Sequence, residues 1–242
     1  MSLLNALMWN RQPVIDPSAT DTLRYGPDIG TEADYRLLGT VADKRVLELG
    51  CGSGAGTVAL ARMGARATGL DFSTQHLTAA RRLSERAGVK VELHEGDLAD
   101  LAFARAETID AVFSTYALNL VEDINRVFRQ VHRVLRQGAS FVFSMPHPAY
   151  DMIVDDDPEE PLLVRRSYFD QSRIDLESDR PPYFGYHHTV SDLFTGLSRA
   201  NFRVDAILEP ESQRDGKGST TWREASQFVP RTLVMRARRE GS

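Results

Sequence analysis

A single cysteine, Cys51, excludes any disulfide within the chain, and with it the small secreted scaffold stapled by several bridges. No apolar run approaches the roughly 20 residues needed to cross a bilayer. The start, Met1-Ser-Leu-Leu-Asn-Ala-Leu-Met-Trp-Asn-Arg, has no basic stretch leading into a long apolar one. A soluble, cytoplasmic protein without stable membrane insertion is the expectation. An excess of basic residues is missing too. Lys and Arg number 29 against 34 Asp and Glu, a formal net charge of −5, so the broad electrostatic footprint of a nucleic-acid binder is absent. There is no internal repeat and no low-complexity segment. What is there is globular material. Of 242 residues, 42% are hydrophobic, enough to build a core for one large domain or one domain with an insertion.

Residues 1–44 are rich in turn formers (Pro13, Pro17, Gly26, Pro27, Gly30), and Thr31–Val41 reads as a helix with Thr31 as N-cap. From Arg45 the pattern changes. Short apolar strands are expected at 45–49, 67–71, 89–94, 109–114 and 140–145. Helices are expected at 55–62, 74–87 and 122–135, with Gly138 as a C′ glycine after the last. This alternation predicts an α/β fold, a parallel sheet covered by helices on both faces. Residues 146–188 carry six prolines and the run Asp155-Asp-Asp, which reads as an insertion or lid rather than sheet. A helix over 189–200 and strands over 202–208 and 228–237 follow. Gly216-Lys-Gly-Ser marks a loop, and 236–242 read as a frayed tail.

The strongest feature is Val46-Leu-Glu-Leu-Gly-Cys-Gly-Ser-Gly. Glycines at 50, 52 and 54 follow a strand and open a helix, so backbone can approach a ligand where a Cβ would clash. Dinucleotide enzymes use such a loop as well. The carboxylates discriminate. Glu48 lies two residues before Gly50, Asp71 ends the next strand 23 residues later, and Asp97 follows the third. In a doubly wound sheet these strand ends lie side by side at the carboxyl edge. A carboxylate at the second suits the two hydroxyls of a ribose, and one at the third can read an adenine edge. Glu48 sits where a dinucleotide would bring its pyrophosphate, an unfavourable pairing of like charges. It suits a ligand with a cationic amine and a sulfonium.

Leu47–Gly54, Gly69-Leu-Asp-Phe-Ser and Glu95-Gly-Asp-Leu resemble the first three motifs of class I S-adenosylmethionine-dependent methyltransferases. Asp110-Ala-Val-Phe-Ser resembles their fourth strand, and 134–144 their helix–turn–fifth-strand segment. The resemblance covers about 46–145, fits 189–237 loosely, and is greatest to the ubiquinone/menaquinone-biosynthesis-like, small-molecule branch. It implies a Rossmann-like, mostly parallel seven-stranded sheet with an antiparallel last strand. It implies S-adenosyl-L-methionine as cofactor and S-adenosyl-L-homocysteine as product. Glu48 and the backbone of Gly50, Cys51 and Gly52 would hold the methionine end. Asp71 would hold the ribose, with Phe72 flanking the adenine. Asp97 and Leu98 would read the adenine, and Ser114 would lie beside the sulfonium. Residues 1–44 would form a helical lid from which Tyr25 folds over the cofactor, and 45–242 the methyltransferase domain. The insertion at about 146–188 would form part of the acceptor pocket. Glu48 departs from the more frequent Asp, which changes reach but not charge.

Methyl transfer is an in-line displacement that leaves the protein mainly alignment and exclusion of water. Cytosine C5 methylation is disfavoured, because Cys51 lies in the glycine loop rather than after the fourth strand. Exocyclic-amine methylation is disfavoured because Ser114-Thr-Tyr-Ala stands where an Asp-Pro-Pro-Tyr-like run belongs. A small-molecule acceptor and no nucleic acid follow, with a monomer or homodimer expected. Tyr116 and His147, each just past a strand end, are the catalytic candidates, followed by Asn119, His187 and His188. His187-His188 read first as an exposed turn, and Asp155–Asp157 are not taken as a metal site. Two other classes remain open: an NAD(P)-linked oxidoreductase, which Glu48 disfavours, and a non-catalytic module that binds the cofactor and regulates a partner.

Overall fold

The computed structural model describes residues 9–10, 14, 22–154, 163–176, 183–213 and 224–241. Its frame is a seven-stranded sheet. Strands β1 (Arg45–Leu49), β2 (Arg66–Asp71), β3 (Glu92–Glu95), β4 (Ile109–Thr115) and β5 (Leu135–Pro146) run parallel. Two short hairpins follow, β6 (Ile153–Val154) with β7 (Leu163–Val164) and β8 (Arg173–Leu176) with β9 (Tyr183–Tyr186). The sheet then resumes with β10 (Phe202–Leu208) and β11 (Thr232–Arg239). Its order is β10-β11-β5-β4-β1-β2-β3, and β11 is antiparallel to both neighbours. The expected doubly wound sheet with an antiparallel last strand is therefore present. The order reverses between β1 and β4, and in such sheets ligands sit at the carboxyl ends of the strands beside that reversal.

Among the described residues the helices that pack on the sheet or lead into it are α1 (Glu32–Tyr35), α2 (Ala55–Arg62), α3 (Thr74–Ala87), α4 (Ile124–Val134) and α5 (Val190–Arg199). Alternation along the strands divides the core into two layers. Val46, Ala111, Phe113, Val142 and Val234 meet α2 and the segment carrying Leu23, Tyr25, Leu37 and Leu38. Leu47, Val112, Phe141, Phe143 and Met235 meet α4 and α5 through Val127, Phe128, Val131, Leu193 and Leu197. Both faces of the central strands are thus buried, which is why they read as mostly apolar rather than alternating. Each fully buried Phe or Leu contributes about 1.5–3 kcal/mol.

Several local expectations are corrected. The helix expected over Thr31–Val41 is a single turn, closed by Arg36 in the left-handed region. The cause is Glu32. Its buried carboxylate accepts the amides of Leu37, Leu38 and Gly39 at 2.9–3.0 Å, and bonds that would have continued the helix are diverted to a side chain. Gly138 is not a C′ residue. The chain passes from α4 straight into β5, and Gly138 (φ +74°) lies in a bulge where the pairing jumps from Ile109↔Leu135 to Ala111↔Ser140. The last strand begins at Thr232 rather than 228, after a 3₁₀ turn at Glu224–Gln227. Residues 236–239 are strand, not tail: Arg236 and Arg238 both bond Asp205, and Arg239 bonds the Leu135 carbonyl and Glu107. The 146–188 region does contain sheet, in its two hairpins. The Asp155–Asp157 run and the Gly216 loop lie outside the described residues.

Candidate functional site

At the carboxyl edge the glycine loop is built by backbone geometry that few other residues tolerate. Gly50, Gly52 and Gly54 all have positive φ, between +50° and +85°. The amides of Gly50 and Cys51 both bond the Leu70 carbonyl, at 2.8 and 3.0 Å, which fixes the loop onto the end of β2. Gly50 is packed so closely that a Cβ would stand 2.2 Å from that of Ala117. At Gly52 a Cβ would meet nothing within 4 Å, so its bare backbone faces open space.

Two acids flank the loop. Glu48 is buried beneath the first turn of α2, against Gly56, and its carboxylate accepts the Thr57 hydroxyl. Burial pushes its carboxyl up to about 8 despite the bonds from Thr57, and the charge of Asp71 adds to the rise. Asp71 is buried as well. It accepts the Gly52 amide and the Ser73 amide, each at 2.9 Å, so the expected ribose-binding acid also joins the glycine loop to the start of α3. Burial raises its carboxyl above the ordinary range, against those amide bonds and the nearby His76. Among the described residues neither acid has a Lys or Arg partner. Two adjacent buried carboxylates and an open glycine backbone fit a ligand that brings positive charge and lies flat on the loop. S-adenosylmethionine has that chemistry, with an ammonium and a sulfonium on one arm.

Phe72 is half-buried at the end of β2. Asp97 caps the turn after β3 by accepting the Ala99 amide at 2.9 Å. The Leu98 side chain is in the core, which leaves its backbone for any contact with a base. Cys51 is buried, and desolvation drives its thiol well above the ordinary value, so it is no nucleophile.

Three assignments change. Ser114 is fully buried and donates to the Leu49 carbonyl at 2.9 Å, so its hydroxyl joins β4 to β1 rather than facing a sulfonium. Tyr25 is not at the mouth of the cleft. It is fully buried against Phe113 and Tyr35, with its hydroxyl given to Glu32. Only its chain neighbours reach the edge: the Arg24 carbonyl accepts the Thr115 hydroxyl, and Gly26 packs on the Tyr116 ring. His147 is buried with both ring nitrogens engaged. Nδ1 faces the Ala149 amide at 3.1 Å and must accept from it, so Nε2 carries the proton toward Glu209 at 2.8 Å. It shapes the turn after β5 and is not poised as a base.

Tyr116 does stand at the edge, in the left-handed region (φ +51°), with its hydroxyl 2.6 Å from that of Thr232. Burial pushes its phenol up to about 12. Around it are Tyr150, Asp151 and Arg231, the last paired with Asp28. Asn119 is close by in sequence, and its side-chain carbonyl is buried with no hydrogen-bond partner among the described residues. His187 and His188 are not an exposed turn. His187 is buried, and His188 bonds the Val121 carbonyl at 3.0 Å. A hollow of about 800 Å³ lies beside them, between α5, the start of α4 and the β8–β9 hairpin.

Sequence reasoning missed Trp9, Thr57 and Asp151. Trp9 stacks on His76 at 5.7 Å, which places Trp9 against the first turn of α3. An aromatic in a turn-rich segment was its only signal. Among the described residues no helix is long and apolar enough to cross a membrane, and no cluster of acids, His and Cys could hold a metal ion.

Comparison with known proteins agrees with this geometry. Residues 47–143 match the model of a methyltransferase domain family. A ubiquinone biosynthesis O-methyltransferase of Bordetella avium is 35% identical over 144 residues, 59% of this chain and 57% of that enzyme. A fatty-acid O-methyltransferase of Mycolicibacterium smegmatis is 38% identical over 114 residues, 46% of this chain and 40% of that enzyme. The chain thus spans about half the length of these two relatives. In three dimensions, an S-adenosylmethionine-dependent methyltransferase from Mesorhizobium loti superposes with a TM-score of 0.69 at 26% identity, covering 86% of this chain and 96% of that one.

Proposed function

We propose that this chain is a class I S-adenosylmethionine-dependent methyltransferase acting on a small hydroxylated acceptor. The observation that carries the reading is the pair of buried acids, Glu48 and Asp71, with no Lys or Arg partner among the described residues, around a glycine loop whose Gly52 backbone is open. Bound there, S-adenosylmethionine supplies a methyl group already activated by the sulfonium. The chain's part is then to fix that group on the loop, exclude water and line up an oxygen behind the carbon. Oxygen is favoured by the two relatives, both O-methyltransferases by name. The dry, partly aromatic surroundings of Tyr116 and Tyr150 suit a molecule with an apolar body and one reacting hydroxyl.

In this reading residues 1–44 cover the cofactor side, supported by Trp9 on His76 and by Gly26 on Tyr116. The segment 146–188 roofs the acceptor side, supported by His188 bonded to the loop after β4. The glycine loop, Asp71, Phe72 and Asp97 hold the cofactor, and Tyr116 walls the acceptor. Calorimetry with S-adenosylhomocysteine tests the cofactor half, and Asp71→Ala should weaken binding at least 10-fold. Unchanged binding removes the basis of the reading. The acceptor half is tested by incubating phenols and fatty acids with S-adenosylmethionine and looking by mass spectrometry for one added methyl group. Product confined to amines or thiols would overturn it.

A further inference from the structure

His187 is in an unusual chemical position. Its side chain has no solvent exposure, yet neither ring nitrogen has a hydrogen-bond partner among the described residues. Buried polar groups are nearly always satisfied, and the exceptions concentrate where a ligand completes them. Asp151 is the nearest acid, with Oδ2 3.5 Å from Nδ1, too long for an ordinary hydrogen bond and short enough to close by a small shift. Asp151 lies in the 3₁₀ turn directly after β5, and its charge is felt at the Tyr116 hydroxyl beyond the end of β4. His188, the next residue, is tied to the Val121 carbonyl in the loop after β4. The β9–α5 junction therefore brings His187 to the segments that follow β4 and β5, and His187 itself lines the 800 Å³ hollow. The Tyr168 ring stands edge-on at 5.4 Å, and Phe184 and Tyr186 line the same hollow.

We propose that His187 is the proton acceptor for a phenolic methyl acceptor, with Asp151 holding its ring. This rests on the methyltransferase reading and adds to it a base and an acceptor class. Nδ1–H would donate to Asp151, leaving Nε2 free to receive a proton. The phenol oxygen forms the new bond to the methyl carbon as the carbon–sulfur bond breaks, its electron pair staying on sulfur. The phenol proton passes to Nε2, and the imidazolium charge is balanced by the Asp151 carboxylate. A phenol is the acceptor class an imidazole serves most readily, because an aliphatic alcohol holds its proton far more tightly. The aromatic wall of the hollow suits the ring. Other charged or titratable groups acting on His187 are Asp170, from the segment before β8, and His188; Tyr168 contributes its ring edge.

The test uses 4-nitrophenol, whose absorption reports its own ionisation, with the full chain saturated in S-adenosylhomocysteine. About one pH unit below the dye's free midpoint, wild type should hold it mostly as phenolate. His187→Gln should lower the ionised fraction of bound dye at least 5-fold and Asp151→Asn should lower it less, both with S-adenosylhomocysteine affinity unchanged. Dye that fails to bind, or that ionises equally in wild type and His187→Gln, overturns the proposal while leaving the methyltransferase reading intact. Failure of wild type to bind S-adenosylhomocysteine strikes the methyltransferase reading itself, and the proposal falls with it.

Discussion

Glu48→Gln separates the stability of the fold from its use. The substitution keeps the size of the side chain and its contact with Thr57 but removes the ability to ionise. In the folded chain burial holds the Glu48 carboxyl at about 8, well above its value in an unfolded chain. A carboxyl raised on folding contributes stability that is complete below the unfolded value and is lost as pH rises through the folded one. For a gap of this size the loss reaches on the order of 4 kcal/mol, most of it between about pH 5 and pH 8. Glutamine has no such slope. In cofactor-free protein the variant should therefore match wild type at about pH 5 and out-melt it at about pH 8.5. At roughly 2–4 °C per kcal/mol for a chain of this size, the gain is about 10 °C. S-adenosylmethionine should bind the variant about 10–100-fold more weakly, since its cationic arm stabilises an ionised Glu48 and glutamine cannot ionise. Differential scanning fluorimetry across pH, with and without cofactor, reads both effects. Melting curves that coincide at both pH values would refute the claim that Glu48 is held against its ionisation by burial.

The two loop glycines should fail in different ways. Gly50→Ala forces a Cβ onto Ala117 in a left-handed backbone and should cost about 2–4 kcal/mol in urea unfolding. Gly52→Ala meets no neighbour and should cost only about 1 kcal/mol, yet weaken S-adenosylhomocysteine binding at least 10-fold; normal affinity would remove Gly52 from the site. With the Tyr116 phenol pushed up to about 12, spectrophotometric titrations of wild type and Tyr116→Phe should show the same phenolate absorbance below about pH 11. Tyr116→Phe, losing the bond to Thr232, should cost about 1 kcal/mol and leave the pH dependence of turnover between about 6 and 9 unchanged.

The sheet was legible because its information is local and repeated. Strands β1, β2, β4 and β5 bury apolar side chains on both faces, and α4 keeps one stripe of Ile124, Val127, Phe128, Val131 and Val134 inside. The cofactor edge was legible because winding rules bring consecutive strand ends together, so Glu48 and Asp71 had to be neighbours. Side-chain direction was harder. Ser114 and Tyr25 stand where the family pattern suggests a ligand contact, but the pleat and the packing of Phe113 turn them to Leu49 and Glu32. Glu32 shows why Thr31–Val41 was misjudged: a carboxylate that folds back on three amides leaves no trace in periodicity. Gly138 was ambiguous by nature, since a left-handed glycine serves a helix end and a bulge alike. His187 was unreadable for a further reason. Its burial depends on contacts with Asp151 and Tyr168, residues brought together only by the folded insertion.

The position of β11 has a bearing on biogenesis. This terminal strand is wedged between β10 and β5, so a growing polypeptide that has completed everything up to Leu208 still presents a gap one strand wide. Until Thr232–Arg239 emerges, the rim of β5 from Ser140 to Pro146, carrying Phe141, Val142 and Phe143, offers unpaired amides and carbonyls to any passing chain. Nascent molecules should therefore lean on chaperones at that stage. A premature stop before codon 232 should give inclusion bodies rather than a weakened enzyme.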